Sequence, residues 1–334
     1  MLQTVIWRTL RQFTIALVLV SAVLLVVAHY INNVIFSPPR RVLQEYHMQR
    51  VNDPTEYGLT VRQHDCLDGK APCLLVEPDA LAGPNYRGKL LREQLAERGV
   101  KLPAYGRVQG TIVLLHGRNG RKESLLAVAE RFVAAGFRSI IVDLPGHGSS
   151  PLRAMSFGQS DFEKQLPKRV LQEVRSHFGL PDEPAVLWGM SMGGAYAVNA
   201  ASDAAEDWDA LVVVSSFAQL DEVLEAQLPM RWKPVFDYLL PLLDVEQWLR
   251  RRPVPSAIRP AENAIKVTTP SLVVHGGRDY YVAQEQGERL YSALGSAQKK
   301  WLIVPNGGHR SVLATSMPVY AEMTEWLLEI LADK

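Results

Sequence analysis

The chain has 334 residues, 47% hydrophobic and 21% charged, with a formal net charge of +1. That composition fits an ordinary globular protein and excludes a disordered tail, a collagen-like fibre and a disulfide-dense miniprotein. No basic run exceeds Arg250, Arg251 and Arg252, and the only cysteines are Cys66 and Cys73, so neither a nucleic-acid partner nor a metal site is expected.

The N-terminal region divides into a short tail (1–12), a transmembrane anchor (13–31) and a connector (32–58) that precedes the folded domain (59–334). No charged side chain lies between Arg11 and Arg40, and residues 13–30 are dominated by Ile, Leu, Val and Ala. Those roughly 18 residues, at about 1.5 Å each, span about 27 Å as a helix, close to a bilayer core. Two rivals remain: a buried core helix, and a secretory signal cleaved near Val26 and Ala28, which would leave a secreted protein. Arg8 and Arg11 argue for a cytoplasmic N-terminus and Arg40 and Arg41 against it.

Beyond Pro38 and Pro39 the chain alternates strands and helices. Residues 59–66 and 73–77 read as a hairpin, and 79–107 holds a charged helical stretch near 89–97. Short β-branched runs follow at 111–115, 139–142, 185–188, 211–214, 271–274 and 301–304, separated by helical patterns such as 123–135 and 284–294. Continuous apolar runs suit strands buried on both faces of a parallel sheet. The grammar is βαβ, hence a doubly wound α/β fold with its site at the carboxyl ends of the strands.

At one such end stands Gly189-Met190-Ser191-Met192-Gly193, between a strand and the helix-like 195–201. A serine in a strand-to-helix turn takes a strained backbone that lifts its hydroxyl clear of the sheet, and Gly189 and Gly193 leave room for the turn. Such a nucleophile needs a base, and the base needs a carboxylate. His309, past the strand 301–304, and Asp279, past 271–274, fill those roles in usable order. A surface-loop histidine and a turn aspartate are the rival readings. The expected oxyanion hole is the Met192 and Arg118 backbone N–H groups, the latter in His116-Gly117-Arg118-Asn119-Gly120. His116 and His275, at strand ends beside glycines, read as structural hydrogen-bonders.

Together Leu115-His116-Gly117, Asp143-Leu144-Pro145-Gly146-His147-Gly148-Ser149, the Ser191 pentapeptide, Gly277-Arg278-Asp279 and Gly308-His309 resemble the marker motifs of the α/β-hydrolase superfamily, in order over 59–332. Their wording is similar to its serine-aminopeptidase-like and lysophospholipase-like branch. The resemblance implies an eight-stranded, mostly parallel sheet with an antiparallel second strand and helices on both faces. It also implies a helical lid inserted after the strand 211–214, here about 217–269.

The expected protein is a membrane-anchored serine hydrolase of carboxylic esters, with a small-molecule ester substrate, lipids among the candidates, and no cofactor. In the lid, Trp232, Phe236, Leu242 and Trp248 are candidates for receiving an acyl chain, or they simply pack the lid. An aminopeptidase or amidase would need an acid for the substrate amine, for which Asp221, Glu222, Glu225 and Asp237 are available. Acyl transfer and a non-catalytic binding protein complete the alternatives. Cys66 and Cys73 flank an Asp-Gly and Pro turn signal and are expected to form a disulfide, which places the domain outside the cytoplasm.

Overall fold

In the computed structural model, which describes residues 2–332 and their side chains from residue 6 on, the apolar N-terminal segment is one helix, α1 (Leu2–Phe36). It is long and apolar enough to cross a membrane. Its side chains are exposed through most of 6–27, and a buried stripe then begins at Ala28, Asn32, Ile35 and Phe36. This spacing is one face of a helix. The connector holds α2 (Glu45–Asn52).

The domain opens with β1 (Leu59–His64) and β2 (Cys73–Pro78), antiparallel with His64 opposite Cys73. The first strand stops two residues short of the expected 66. Leu67 and Asp68 (φ 56° each) and Gly69 (φ 76°) take left-handed backbone there, and Gly69 N–H donates to Asp65 O. Cys66 therefore lies in the turn, 5.8 Å Cα to Cα from Cys73, and the disulfide is formed. Next come α3 (Tyr86–Glu97), β3 (Gly110–Leu115), α4 (Leu126–Ala134), β4 (Phe137–Val142), α5 (Asp161–Phe178), β5 (Ala185–Met190), α6 (Met192–Asp203) and β6 (Ala210–Val214). The insertion carries α7 (Leu220–Ala226), α8 (Lys233–Leu249) and α9 (Pro260–Ala264), and the chain closes through β7 (Ser271–Gly276), α10 (Gln284–Ala293), β8 (Lys299–Val304) and α11 (Val319–Ala332).

The eight strands form one sheet in the order β1-β2-β4-β3-β5-β6-β7-β8, with β2 antiparallel to both neighbours and the rest of the ladder from β4 to β8 parallel. Strand side chains alternate between two cores. Val113 and Leu115 face the core of α5, α6 and α10, whereas Ile112 and Leu114 face that of α3, α4 and α11. The charged stretch after β2 is α3, capped by the Asn85 side chain accepting from Gly88 N–H.

The last turns of α1 seat on the insertion. Asn32 Nδ2 donates to Leu243 O (2.9 Å) and Glu246 Oε2 (2.8 Å), and His29 Nδ1 meets Glu246 Oε1 at 2.7 Å. Burial disfavours the Glu246 charge, but the His29 and Asn32 hydrogen bonds and the Arg250 charge outweigh it and hold its pKa below the usual carboxylate value. Phe36 packs edge-on against Phe157, 5.6 Å between centroids, and its carbonyl accepts from Met155 N–H. These contacts explain why the helix continues beyond residue 31 instead of fraying.

Cys66→Ser is expected to lower the unfolding free energy by about 2–3 kcal/mol, the value of closing so short a loop. Urea denaturation of the oxidised parent and the variant tests this; coincident curves would show that the bridge adds no stability.

Candidate active site

Ser191 alone links β5 to α6, at φ 54° and ψ −120°, a strained conformation for a residue with a side chain. The close packing of this turn sets its sequence. A Cβ on Gly189 would stand 2.1 Å from the Gly193 carbonyl oxygen, and one on Gly193 would stand 2.1 Å from that of Leu115. Neither glycine admits a substituent. The N-terminus of α6 then points at the serine, with Met192 as its first residue, where amides lie outside the helical hydrogen-bond ladder.

The loops after β7 and β8 bring the two predicted partners to the same rim. Ser191 Oγ lies 3.0 Å from His309 Nε2, and His309 Nδ1 lies 2.8 Å from Asp279 Oδ2. The carboxylate fixes the tautomer: Nδ1–H donates to Asp279, and Nε2 is left to accept from the serine hydroxyl. Asp279 Oδ1 accepts from the Tyr281 and Val282 amides, at 3.0 and 2.9 Å. Burial opposes the Asp279 charge, yet the His309 hydrogen bond and these amides prevail and lower its pKa.

The loop after β3 crosses in front of Ser191. A Cβ on Gly117 would lie 3.4 Å from the Ser191 Cβ, so the backbone passes close beside the nucleophile position. Among the described residues the Arg118 amide meets no acceptor, while the Arg118 guanidinium donates to Val34 O of α1. His116 braces this loop: Nδ1–H donates to Gly117 O (2.9 Å) and Nε2 accepts from Leu144 N–H (3.2 Å). The second bond requires a neutral imidazole, because a protonated Nε2 could not accept. Beneath it the buried Asp143 accepts from Lys122 N–H (2.7 Å), Lys122 Nζ (2.9 Å) and Ser149 N–H (2.8 Å). His275 donates from Nε2 to Val282 O (3.0 Å) and supports the Asp279 turn. Both histidines thus have the structural roles expected of them.

A cavity of about 620 Å³ opens over Ser191 and His309, walled by His116, Gly117, Met190 and Tyr281 among others. Among the described residues five arginines line it (Arg41, Arg87, Arg118, Arg131 and Arg310) and no carboxylate does. Sequence reasoning missed this. In the sequence Arg41 reads only as a topology signal, and Arg87 lies at the start of the charged helix, far along the chain from the other four. The lid candidates stand apart: Trp232 and Trp248 are exposed, Phe236 is buried, Leu242 is half-buried, and none lines the cavity. Glu222 and Glu225 line a separate cavity of about 340 Å³ between α7 and α10.

The comparisons agree with this fold. Residues 106–259 match the family model for serine aminopeptidase, S33. A 31.7 kDa protein of the traX-finO intergenic region of Escherichia coli is 25% identical, with 64% of this chain and 89% of that protein covered. Protein ABHD12B of Homo sapiens is 26% identical, over 65% of this chain and 60% of its own. The Pyrococcus furiosus esterase Pf2001 superposes with a TM-score of 0.59 at 15% identity, covering 88% of this chain and 98% of that one. A membrane phospholipase A described as a bacterial virulence factor does so at 0.53 and 17%, covering 96% and 99%.

Burial favours the neutral form of four histidines near the site, His47, His116, His147 and His275. It lowers the pKa of His116 and His275, lowers His147 from 6.5 to about 3, and with the nearby Arg41 charge lowers His47 to about 4. Unfolding frees them to protonate, so below pH 6.5 the unfolded chain binds more protons and stability falls, by about 1.4 kcal/mol per histidine per pH unit. Glu163, raised by burial to about 7, has the opposite sign but is a single group. The denaturation midpoint should therefore drop between pH 7 and pH 5; a midpoint that holds or rises would refute the neutral assignment.

Proposed function

We propose, from the α/β-hydrolase fold as premise, that this chain is a membrane-anchored serine hydrolase that cleaves carboxylic esters through an acyl-enzyme. The observation that carries the reading is the continuous hydrogen-bonded line Ser191–His309–Asp279. Ser191 Oγ attacks the ester carbonyl carbon as His309 Nε2 takes its proton. Asp279 holds the imidazole in the right tautomer and balances the imidazolium charge. The carbonyl oxygen, now negative, receives the Met192 and Arg118 amides. Collapse expels the alcohol, to which His309 returns the proton. Water, deprotonated by the same nitrogen, then releases the acid and restores Ser191.

An ester is favoured over an amino-terminal peptide bond because a free substrate amine needs a carboxylate. None lines the Ser191 cavity, and Glu222 and Glu225 face another. Transfer of the acyl group to an acceptor other than water uses the same triad and differs only in the second step. Anchoring by α1 is supported by its apolar exposed length and by its polar seat on α8, which a cleaved signal would not need. The disulfide supports a domain outside the cytoplasm, with Arg8 and Arg11 inside.

Ser191→Ala should abolish labelling by a fluorophosphonate probe and all ester hydrolysis. His309→Ala and Asp279→Asn should each reduce turnover by roughly 10³ or more. Undiminished hydrolysis by purified Ser191→Ala protein would end the mechanism, and an unlabelled parent chain would favour a binding protein.

A further inference from the structure

We propose that the arginines around the Ser191 cavity form a binding site for a phosphate group carried by the substrate, so that the preferred esters are anionic amphiphiles of the phosphate-bearing kind. This rests on the hydrolase reading for the word ester, but the anion site itself does not. The first observation is charge. In a chain of net charge +1, five arginines and no acid are among the described residues that line this one cavity.

The second is their partners. Elsewhere Arg62, Arg98, Arg138, Arg175, Arg259 and Arg289 pair with carboxylates, while Arg40 and Arg92 are held by backbone carbonyls one or two at a time but do not gather at a common space. Among the described residues, Arg41, Arg118, Arg131 and Arg310 make no ion pair. Arg87 has only Glu130 at 3.7 Å, and the same Glu130 oxygen also serves Arg50 at 3.5 Å.

The heads of three of them are instead held by neutral acceptors. Arg131 is buried, donates to Ala127 O and to Thr315 Oγ1 (2.6 Å), and lies 4.5 Å over the Tyr320 ring. Arg41 donates to Tyr46 Oη at 2.9 Å, and Arg118 donates to Val34 O. Such bonds orient a guanidinium and leave its charge uncancelled. Like charges converging on one space repel unless an anion enters it, and the planar fork of arginine matches phosphate oxygens two at a time. Ser191 and His309 share that space, so a bound phosphate would hold the adjoining ester beside them.

Isothermal titration of the full-length Ser191→Ala protein in detergent tests this without requiring turnover. Hexyl phosphate should bind at least tenfold more tightly than hexanol and hexyltrimethylammonium. Added inorganic phosphate should displace it more effectively than chloride at equal ionic strength. Arg41→Gln combined with Arg310→Gln should reduce that preference about tenfold, with the denaturation midpoint recorded to establish that the variant is folded. Equal affinity for hexyl phosphate and hexanol, or a preference untouched in the folded variant, would overturn the proposal. Phosphate preference in a chain that hydrolyses no ester would leave the anion site standing and remove the hydrolase reading. Hydrolysis without any preference would do the reverse.

Discussion

The approach of the turn at Ser191 to the end of β3 governs the arrangement of the whole site. The Gly193 Cα packs against the Leu115 carbonyl so tightly that no Cβ fits between them. This contact fixes α6 against the sheet and forces Ser191 into its positive-φ conformation. It also sets the height at which the loops after β3, β7 and β8 must arrive to meet the serine. The parallel ladder from β3 through β8 makes that possible, because every one of those loops leaves the sheet at the same edge. Strain at one residue is tolerated because the packed strands around it are almost wholly buried.

Electrostatics divides the site into two zones. Around the serine, the supporting polar groups are held by fixed partners: Asp143 by Lys122, His116 between Gly117 and Leu144, and His275 Nε2 by Val282. These bonds leave the supporting loops little freedom, and burial keeps the imidazoles uncharged. Above the serine five arginines line the cavity, and among the described residues four of them make no ion pair. An asymmetry of this kind preserves geometry around the serine while leaving the space above responsive to what enters it.

Much of this was legible in the chain because it is local. Continuous Val/Ile/Leu runs reveal doubly buried strands, and a serine two residues from each of two glycines reveals a turn where backbones touch. Asp279 and His309 could be found because each follows a strand directly. The disulfide could be anticipated from a turn signal between the two cysteines, although Leu67 and Asp68 end β1 early through backbone conformations that no hydrophobic pattern encodes. The arginine wall was illegible for the opposite reason. Arg41, Arg87, Arg118, Arg131 and Arg310 are scattered through the chain, and a net charge near zero averages them away. The continuation of α1 past residue 31 was hidden similarly, since Asn32 and Asn33 look like the end of an apolar span until Glu246 and Leu243 arrive from far along the sequence.

The hydrogen bond between Val34 O and the Arg118 side chain joins α1 directly to the loop in front of Ser191. Val34 lies four residues past Tyr30, about 6 Å along the helix. With α1 in a bilayer, the cavity therefore does not swing on a flexible leash; helix geometry sets its elevation over the lipid surface. Under the proposed anchoring, encounters with a substrate held in the same leaflet would become a two-dimensional search. The relevant concentration is the mole fraction of that substrate in the leaflet, and dilution of the bulk suspension would leave the turnover of each anchored molecule unchanged.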